Sequence, residues 1–340
     1  MKVLHLLIGA AAAIVCASSL IASQQRIIEA APLSSDDMMV LRGHTSGVTG
    51  VRFSPDSRWI VSSSLDGTVR LWSWPGGRSM RVLHGGGELY DVAVSRDGQL
   101  IAAVGDTRNV IVWRSATGGV ARRLELPVRS LSLTFAGANG LAVGSSDGKI
   151  RLIDLGTGRV EREIQAGPEV FALAVSPDGR HLASGLPLAV WEYSTGKRIA
   201  TPRGFAQGDV AFSNDGRWLA SGEYTGGGRL FSVPSAELVS RLATNEEKRV
   251  QGPKGSSTVS VSMPVTSLAF SANGRLLATA GGDRKIQLWR ISESGAGEKP
   301  ETILQGHSMT VTGVSFAANG SFLASAGLDH TVRVWQVSTR

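Results

Sequence analysis

Two sets of serine, histidine and aspartate stand at matched spacing in this chain of 340 residues: His44, Ser62 and Asp66, then His307, Ser325 and Asp329. That residue set could do nucleophilic chemistry, with the imidazole taking the serine proton and the carboxylate orienting the ring. A second string, Gly144-Ser145-Ser146-Asp147-Gly148, has the form of a nucleophile elbow, and His84-Gly85-Gly86-Gly87 has the form of an oxyanion-hole loop. Three more charged residues, Arg52, Asp91 and Asp209, interrupt otherwise apolar runs and could form a polar site. No phosphate-binding glycine loop before a helix and no His, Asp and Glu set at metal-ligand spacing is present.

The surroundings argue against catalysis. The elbow string lies between two strand patterns, whereas a working elbow needs a strand-to-helix turn. The triad types recur in register: His to Asp spans 22 residues in both sets, and a tryptophan, Trp72 or Trp335, follows the Asp by 6. Duplication at fixed spacing signals a repeat, because geometry and role define a triad and residue type does not. Asp91 and Asp209 occupy equivalent places four residues before their turns. A charge pair between neighbouring inner strands accounts for such residues at least as well as a site does.

The elements that must position these residues are short strands. Val48, Val51 and Phe53, then Trp59 and Val61, then Val69 and Leu71 alternate with polar residues, and Pro55-Asp56 and Asp66-Gly67 mark the turns between them. The turn recurs at Ser54, Ser95, Ala136, Ser176, Ser213, Ser271 and Ala317. An apolar anchor follows each, at Trp72, Trp113, Ile153, Trp191, Phe231, Trp289 and Trp335, 18 residues later in five units, 17 in the third and 15 in the fourth. A period near 40 with four strand patterns per unit predicts propeller blades, and seven anchors predict seven blades in one domain. The repeat phase opens with an outer-strand pattern at Met38–Gly43 and stops after a third strand, so the amino-terminal strand is expected to complete the last blade.

The Gly-His, Asp and Trp positions of the first and last units, Gly43-His44, Asp66 and Trp72, and Gly306-His307, Asp329 and Trp335, resemble the WD-repeat family of β-propellers, over residues 38–340. The Asp that follows the anchor in the family's name survives only at Asp154, after Ile153. The resemblance implies an all-β, seven-bladed propeller of four-stranded antiparallel blades. It also implies a structural role for His44, Ser62, Asp66 and Trp72, and for His307, Ser325, Asp329 and Trp335, as hydrogen-bond chains running from indole through hydroxyl and imidazole to carboxylate. The sixth unit keeps Thr279, Asp283 and Trp289 without a histidine.

The first residues are of another kind. Val3–Ala22 is a run of twenty residues without a charge, after Lys2. It reads as an apolar signal or anchor helix over residues 1–24, followed by a linker over 25–37. Charge placement leaves the propeller outside the cytoplasm, periplasmic or extracellular, either released after cleavage or held by this segment. Cys16 is the single cysteine, so the propeller can hold neither a disulfide nor a cysteine-ligated zinc. The net charge is +7, with 28 arginines among 35 basic residues. Arg70, Arg151, Arg229 and Arg333 are spread by the repeat, two residues before four anchors, and only three tyrosines are present. That distribution does not suit nucleic acid, which needs concentrated charge and stacking aromatics.

The longest departure from the repeat is the stretch 243–263, between the outer strand of one blade and the inner strand of the next. Glu246, Glu247, Lys248 and Arg249 form a charged run, Lys254 lies in a Gly-Pro-Lys-Gly turn, and an apolar β-prone stretch, Thr258–Met263, follows. A charged arm with a β-prone segment is expected to order on a protein partner. A smaller insertion, Ser292–Pro300, is expected on the opposite face. The chain is therefore read as an exported, non-catalytic interaction scaffold without a cofactor, binding one or more proteins and meeting membrane only through its amino-terminal segment. The alternative is an exported propeller enzyme or small-molecule sensor using Arg52, Asp91 and Asp209 at the channel mouth.

Overall fold

The computed structural model describes residues 38–202, 208–252 and 255–337, with the backbone alone along 245–261. The expected signal or anchor segment, 1–24, and linker, 25–37, lie outside the described residues. No helix among the described residues is long and apolar enough to cross a membrane. Thirty-one strands, β1 to β31 in chain order, make up the described elements.

Seven antiparallel sheets hold most of them, six of four strands and one of four strands with a short fifth beside them. The first blade runs β2 (Val48–Phe53), β3 (Trp59–Ser64), β4 (Thr68–Ser73) and β5 (Ser79–His84). The first strands of the others are β6 (Leu89–Val94), β10 (Ser130–Ala136), β14 (Leu173–Val175), β18 (Val210–Phe212), β24 (Val265–Phe270) and β29 (Val311–Phe316). Each first strand touches the next in cyclic order, and β29 returns to β2, so they line the axis of a closed ring.

The turns before the second strands of four blades repeat one local device. Ser54 Oγ donates to Asp56 and accepts from the Trp59 amide, while Asp56 accepts from the Arg58 amide. Ser95 with Asp97, Ser176 with Asp178, and Ser213 with Asp215 do the same. Short side chains that bond their own backbone fix the turn, and hence the register of the hairpin it joins.

The core lies between blades. Val61, Val69 and Leu71 of the first blade pack with Val92, Ile101 and Trp113 of the second. Trp72 packs against Ala324, Val332 and Val334 of the last blade. Seven such clusters fill the seven seams, and each anchor side chain is buried against the preceding blade. Each sheet is thus apolar on both faces and depends on two neighbours.

The ring is closed by β1 (Met38–Arg42), which pairs antiparallel with β31 (Thr331–Gln336), from Met38 opposite Trp335 to Arg42 opposite Thr331. Leu41, 3% exposed, joins the core of that seam. Deleting the chain through Arg42 removes this outer strand and is expected to lower the melting temperature sharply. Leu41→Ala alone should cost about 2–5 kcal/mol as a buried cavity. Thermal unfolding followed by circular dichroism checks both; an unchanged curve for the deletion would contradict closure by β1.

Candidate functional site

His44 precedes β2, Ser62 lies on β3, Asp66 sits in the turn after it and Trp72 lies on β4. The fold brings the four into one chain. Trp72 Nε1 donates to Ser62 Oγ at 2.9 Å, Ser62 lies 2.8 Å from His44 Nε2, and His44 Nδ1 lies 2.8 Å from Asp66 Oδ2. Only one proton arrangement satisfies every group with a neutral ring: the serine hydroxyl donates to Nε2 and Nδ1–H donates to the carboxylate. Asp66 also accepts from the Thr68 hydroxyl and the Thr45 and Thr68 amides.

Burial works to raise the Asp66 pKa, but these donors outweigh it and hold the carboxyl at about 2. Burial lowers the His44 pKa against the pull of Asp66, which keeps the ring neutral at pH 7. The last blade repeats the arrangement. Trp335 Nε1 donates to Ser325 at 2.8 Å, Ser325 meets His307 Nε2 at 2.7 Å, and His307 Nδ1 meets Asp329 at 2.9 Å. Burial raises Asp329 too, and its His307 and Thr331 bonds bring it well below the usual carboxylate range. The two histidine side chains are 1% exposed and the two aspartates 5%. A substrate therefore has no route to either serine hydroxyl, which already accepts an indole N–H.

Two blades carry shorter versions. Trp289 donates to Thr279 at 3.0 Å and Trp191 to Ser184 at 2.9 Å. Ser184 escapes a fixed-offset reading because the fourth blade's turn is short. The elbow string falls in the turn between β11 (Gly140–Ser145) and β12 (Lys149–Asp154), with no helix after it. Its Asp147 holds Arg151 at 2.6 Å, and Arg151 also pairs with Glu163 at 2.9 Å. His84 ends β5 as an exposed residue.

Around the axis, Arg52 Nη2 lies 3.5 Å from Asp91 Oδ1, joining the first strands of adjacent blades. Asp91 Oδ2 accepts from the Leu133 amide of the third blade at 3.0 Å. Asp209, in the fifth blade, accepts from Ser267 and the Leu268 amide of the sixth. Each aspartate therefore staples its strand to the next. Burial outweighs Arg52 and these donors and pushes Asp91 up to about 6, with a contribution from Asp209; burial raises Asp209 as well. The sequence reading missed a further set of inter-blade bonds. Arg81 on β5 donates to the Ser115 and Ala116 carbonyls of the second blade. Arg122 on β9 (Val120–Glu125) donates to Leu155 and Gly156, and Arg162 on β13 (Arg159–Gln165) to Ser194. Each stands nine residues after its anchor, so the offset that found the anchors also marks them.

The stretch 243–263 differs from expectation. It pairs with itself rather than waiting for a partner: β22 (Asn245–Gly252) and β23 (Gly255–Ser262) form a hairpin from Asn245 opposite Ser262 to Gly252 opposite Gly255. The β-prone half finds its hydrogen bonds on the charged half, which carries Glu246, Glu247, Lys248 and Arg249; Lys254 lies outside the described residues. The stem is pinned to the ring. Buried Thr244 Oγ1 donates to the Met263 carbonyl at 2.7 Å and accepts from the Gly227 amide at 2.9 Å. Gly227 has φ 80°, a conformation that favours glycine. The smaller insertion forms β27 (Gly295–Ala296), whose Ala296 amide donates to Ser240 of β21 (Leu238–Leu242), on the neighbouring blade.

His44→Ala and His307→Ala each take the acceptor from a buried serine hydroxyl and one donor from a buried carboxylate, and should each cost about 1–3 kcal/mol in denaturant unfolding. Full stability with loss of binding would show a working site instead. Asp91 gives a pH prediction. The fold binds its proton more tightly than the unfolded chain, so that contribution is present below the unfolded value of 3.8 and is lost as pH rises to about 6. The melting temperature of Asp91→Asn relative to the parent should therefore rise between pH 4 and about 7. A difference independent of pH would contradict the raised value.

The family described as "WD domain, G-beta repeat" matches residues 35–73, 77–114, 255–290 and 298–336. The third match enters the hairpin at 255, although the outer strand of the fifth blade is β21. The chain is 22% identical to autophagy-related protein 16 of Arabidopsis thaliana over 74% of its length and 49% of that protein. It is 27% identical to transcription initiation factor TFIID subunit 5 of Caenorhabditis elegans, over 56% of this chain and 31% of that protein. It is 28% identical to small ribosomal subunit protein RACK1y of Oryza sativa subsp. japonica, over 45% of this chain and 49% of that protein. The chain thus spans half or less of the length of these relatives. Seven antiparallel four-stranded blades, two complete tetrads and these repeat matches place the chain in the WD-repeat family of seven-bladed β-propellers.

Proposed function

We propose that this propeller is a non-catalytic protein-interaction scaffold acting outside the cytoplasm, with the hairpin of β22 and β23 as its partner-binding element. The observation that carries the reading is the contrast between ring and hairpin. The ring is packed at every seam, and its Ser, His and Asp sets are occupied by internal hydrogen bonds. Among the described residues the hairpin makes its main contacts within itself and pairs with no other strand, which leaves two strand edges for another chain. The likeness to a TFIID subunit and to a small ribosomal subunit protein supports a role in assemblies. Export rests on the uncharged run Val3–Ala22, which either directs secretion or anchors the chain.

Replacing 245–260 with a short Gly-Ser link should leave the melting temperature nearly unchanged, because β21 and β24 remain, and should abolish recovery of native partners in a pull-down. Equal recovery by both forms would show the hairpin to be passive. Fusing residues 1–37 to a reporter active only outside the cytoplasm should give signal; activity of a cytoplasmic reporter would refute export.

A further inference from the structure

The two edges of the hairpin differ in a way that specifies a partner. Outer edges of sheets invite pairing with other chains, and charged side chains discourage it. Strand β22 carries Glu246, Glu247, Lys248 and Arg249, whereas β23, GSSTVSVS, carries no charge over its eight residues. Among the described residues neither strand pairs with any strand but the other. The uncharged edge is thus open and the charged edge guarded.

We propose that β23 pairs antiparallel with β23 of a second copy of this chain, giving a two-fold symmetric dimer with a four-stranded sheet, β22-β23-β23-β22. The inference rests on the reading of the hairpin as a binding element and names its partner. Hydrogen-bond parity restricts the register. Gly252 is opposite Gly255 across a two-residue connection, a pair that exchanges both backbone bonds in such hairpins. Alternation then turns the amides of Ser257, Val259 and Val261 toward β22 and those of Ser256, Thr258, Ser260 and Ser262 outward. A two-fold pairing must match outward residues with outward residues.

Centring the two-fold on Val259 meets that condition over seven residues, an overlap that no other allowed register exceeds. It sets Val259 opposite Val259, Ser257 opposite Val261, Thr258 opposite Ser260 and Ser256 opposite Ser262. The paired length is ~23 Å at strand rise. No charge opposes another, β-branched residues meet at the centre, and both charged β22 strands become the outer edges, which blocks further growth. The equivalent pairing through β22 sets like charges against each other at the centre of its two central registers, Lys248 against Lys248 or Arg249 against Arg249.

Sedimentation equilibrium of the full chain tests this. The parent should show a concentration-dependent species of twice 35.7 kDa. Each copy carries net charge +7, so added salt should strengthen association by screening the mutual repulsion. Ser260→Pro removes an outward amide without removing a bond to β22 and should weaken the dimer at least about tenfold with an unchanged melting temperature. Thr258→Pro should do the same, while Arg249→Ala on the guarded edge should not weaken it. A parent that stays monomeric, or a dimer indifferent to both proline variants, overturns the proposal. If the parent is monomeric yet the Gly-Ser replacement loses its native partners, the self-pairing falls and the interaction reading stands. If that replacement also keeps its partners, both fall.

Discussion

A four-stranded blade of this chain is apolar on both faces, and neither face can meet water. Burial of Val61, Val69 and Leu71 against one neighbour and of Val51, Ile60 and Trp72 against the other is therefore the condition for any blade to exist. Seven blades satisfy it only if the last meets the first. The closing seam joins strands more than 260 residues apart in sequence, with the Thr312 hydroxyl donating to the Val48 carbonyl and the Phe53 amide to Ser315. β1 adds covalent continuity to that seam, since the chain that completes the last blade leads directly into the first.

Packing of this kind traps polar groups, and the ring handles them by position. Toward the axis, Asp91, Asp209, Ser267 and Ser315 accept backbone amides of the next blade. Within two blades, the tetrads consume an indole, a hydroxyl, an imidazole and a carboxylate without leaving one unpaired. Toward the rim, Arg81, Arg122 and Arg162 cap carbonyls of the next blade's turn. The positive net charge thus has a partly structural origin: these arginines sit at a repeat position that faces backbone oxygen, and Arg151 is held between two carboxylates. The same residue types that suggest chemistry when read along the sequence are, in the fold, the groups that make burial tolerable.

The anchors, turns and closing strand were legible because repetition turns a weak local signal into a strong one. The period-two pattern around Val48 and Val69 is ambiguous once and decisive seven times. His44 and Asp66 could be linked to Ser62 and Trp72 because the last unit repeats their spacing. The irregular parts were harder. Ser184 was lost to a shortened turn, and the rim arginines lie on exposed strands whose alternation carries little signal. The insertion at 243–263 was visible as an interruption, but its pairing with itself was not. A charged run and an uncharged β-prone run form a hairpin once a short connection sets their register, and the two residues between Gly252 and Gly255 supply it. The second insertion was likewise visible in length but not in its contact with Ser240.

The central claim is that no blade stands without both neighbours, so the ring opens as one unit. Native-state hydrogen exchange measures this directly, because each buried amide reports the free energy of the opening that exposes it. The amides of β2, β6, β10, β14, β18, β24 and β29 should share one opening free energy, equal to that of global unfolding, and should respond together to low denaturant. A first strand that exchanges through a separate opening of much lower free energy, with its neighbours still protected, would contradict the account.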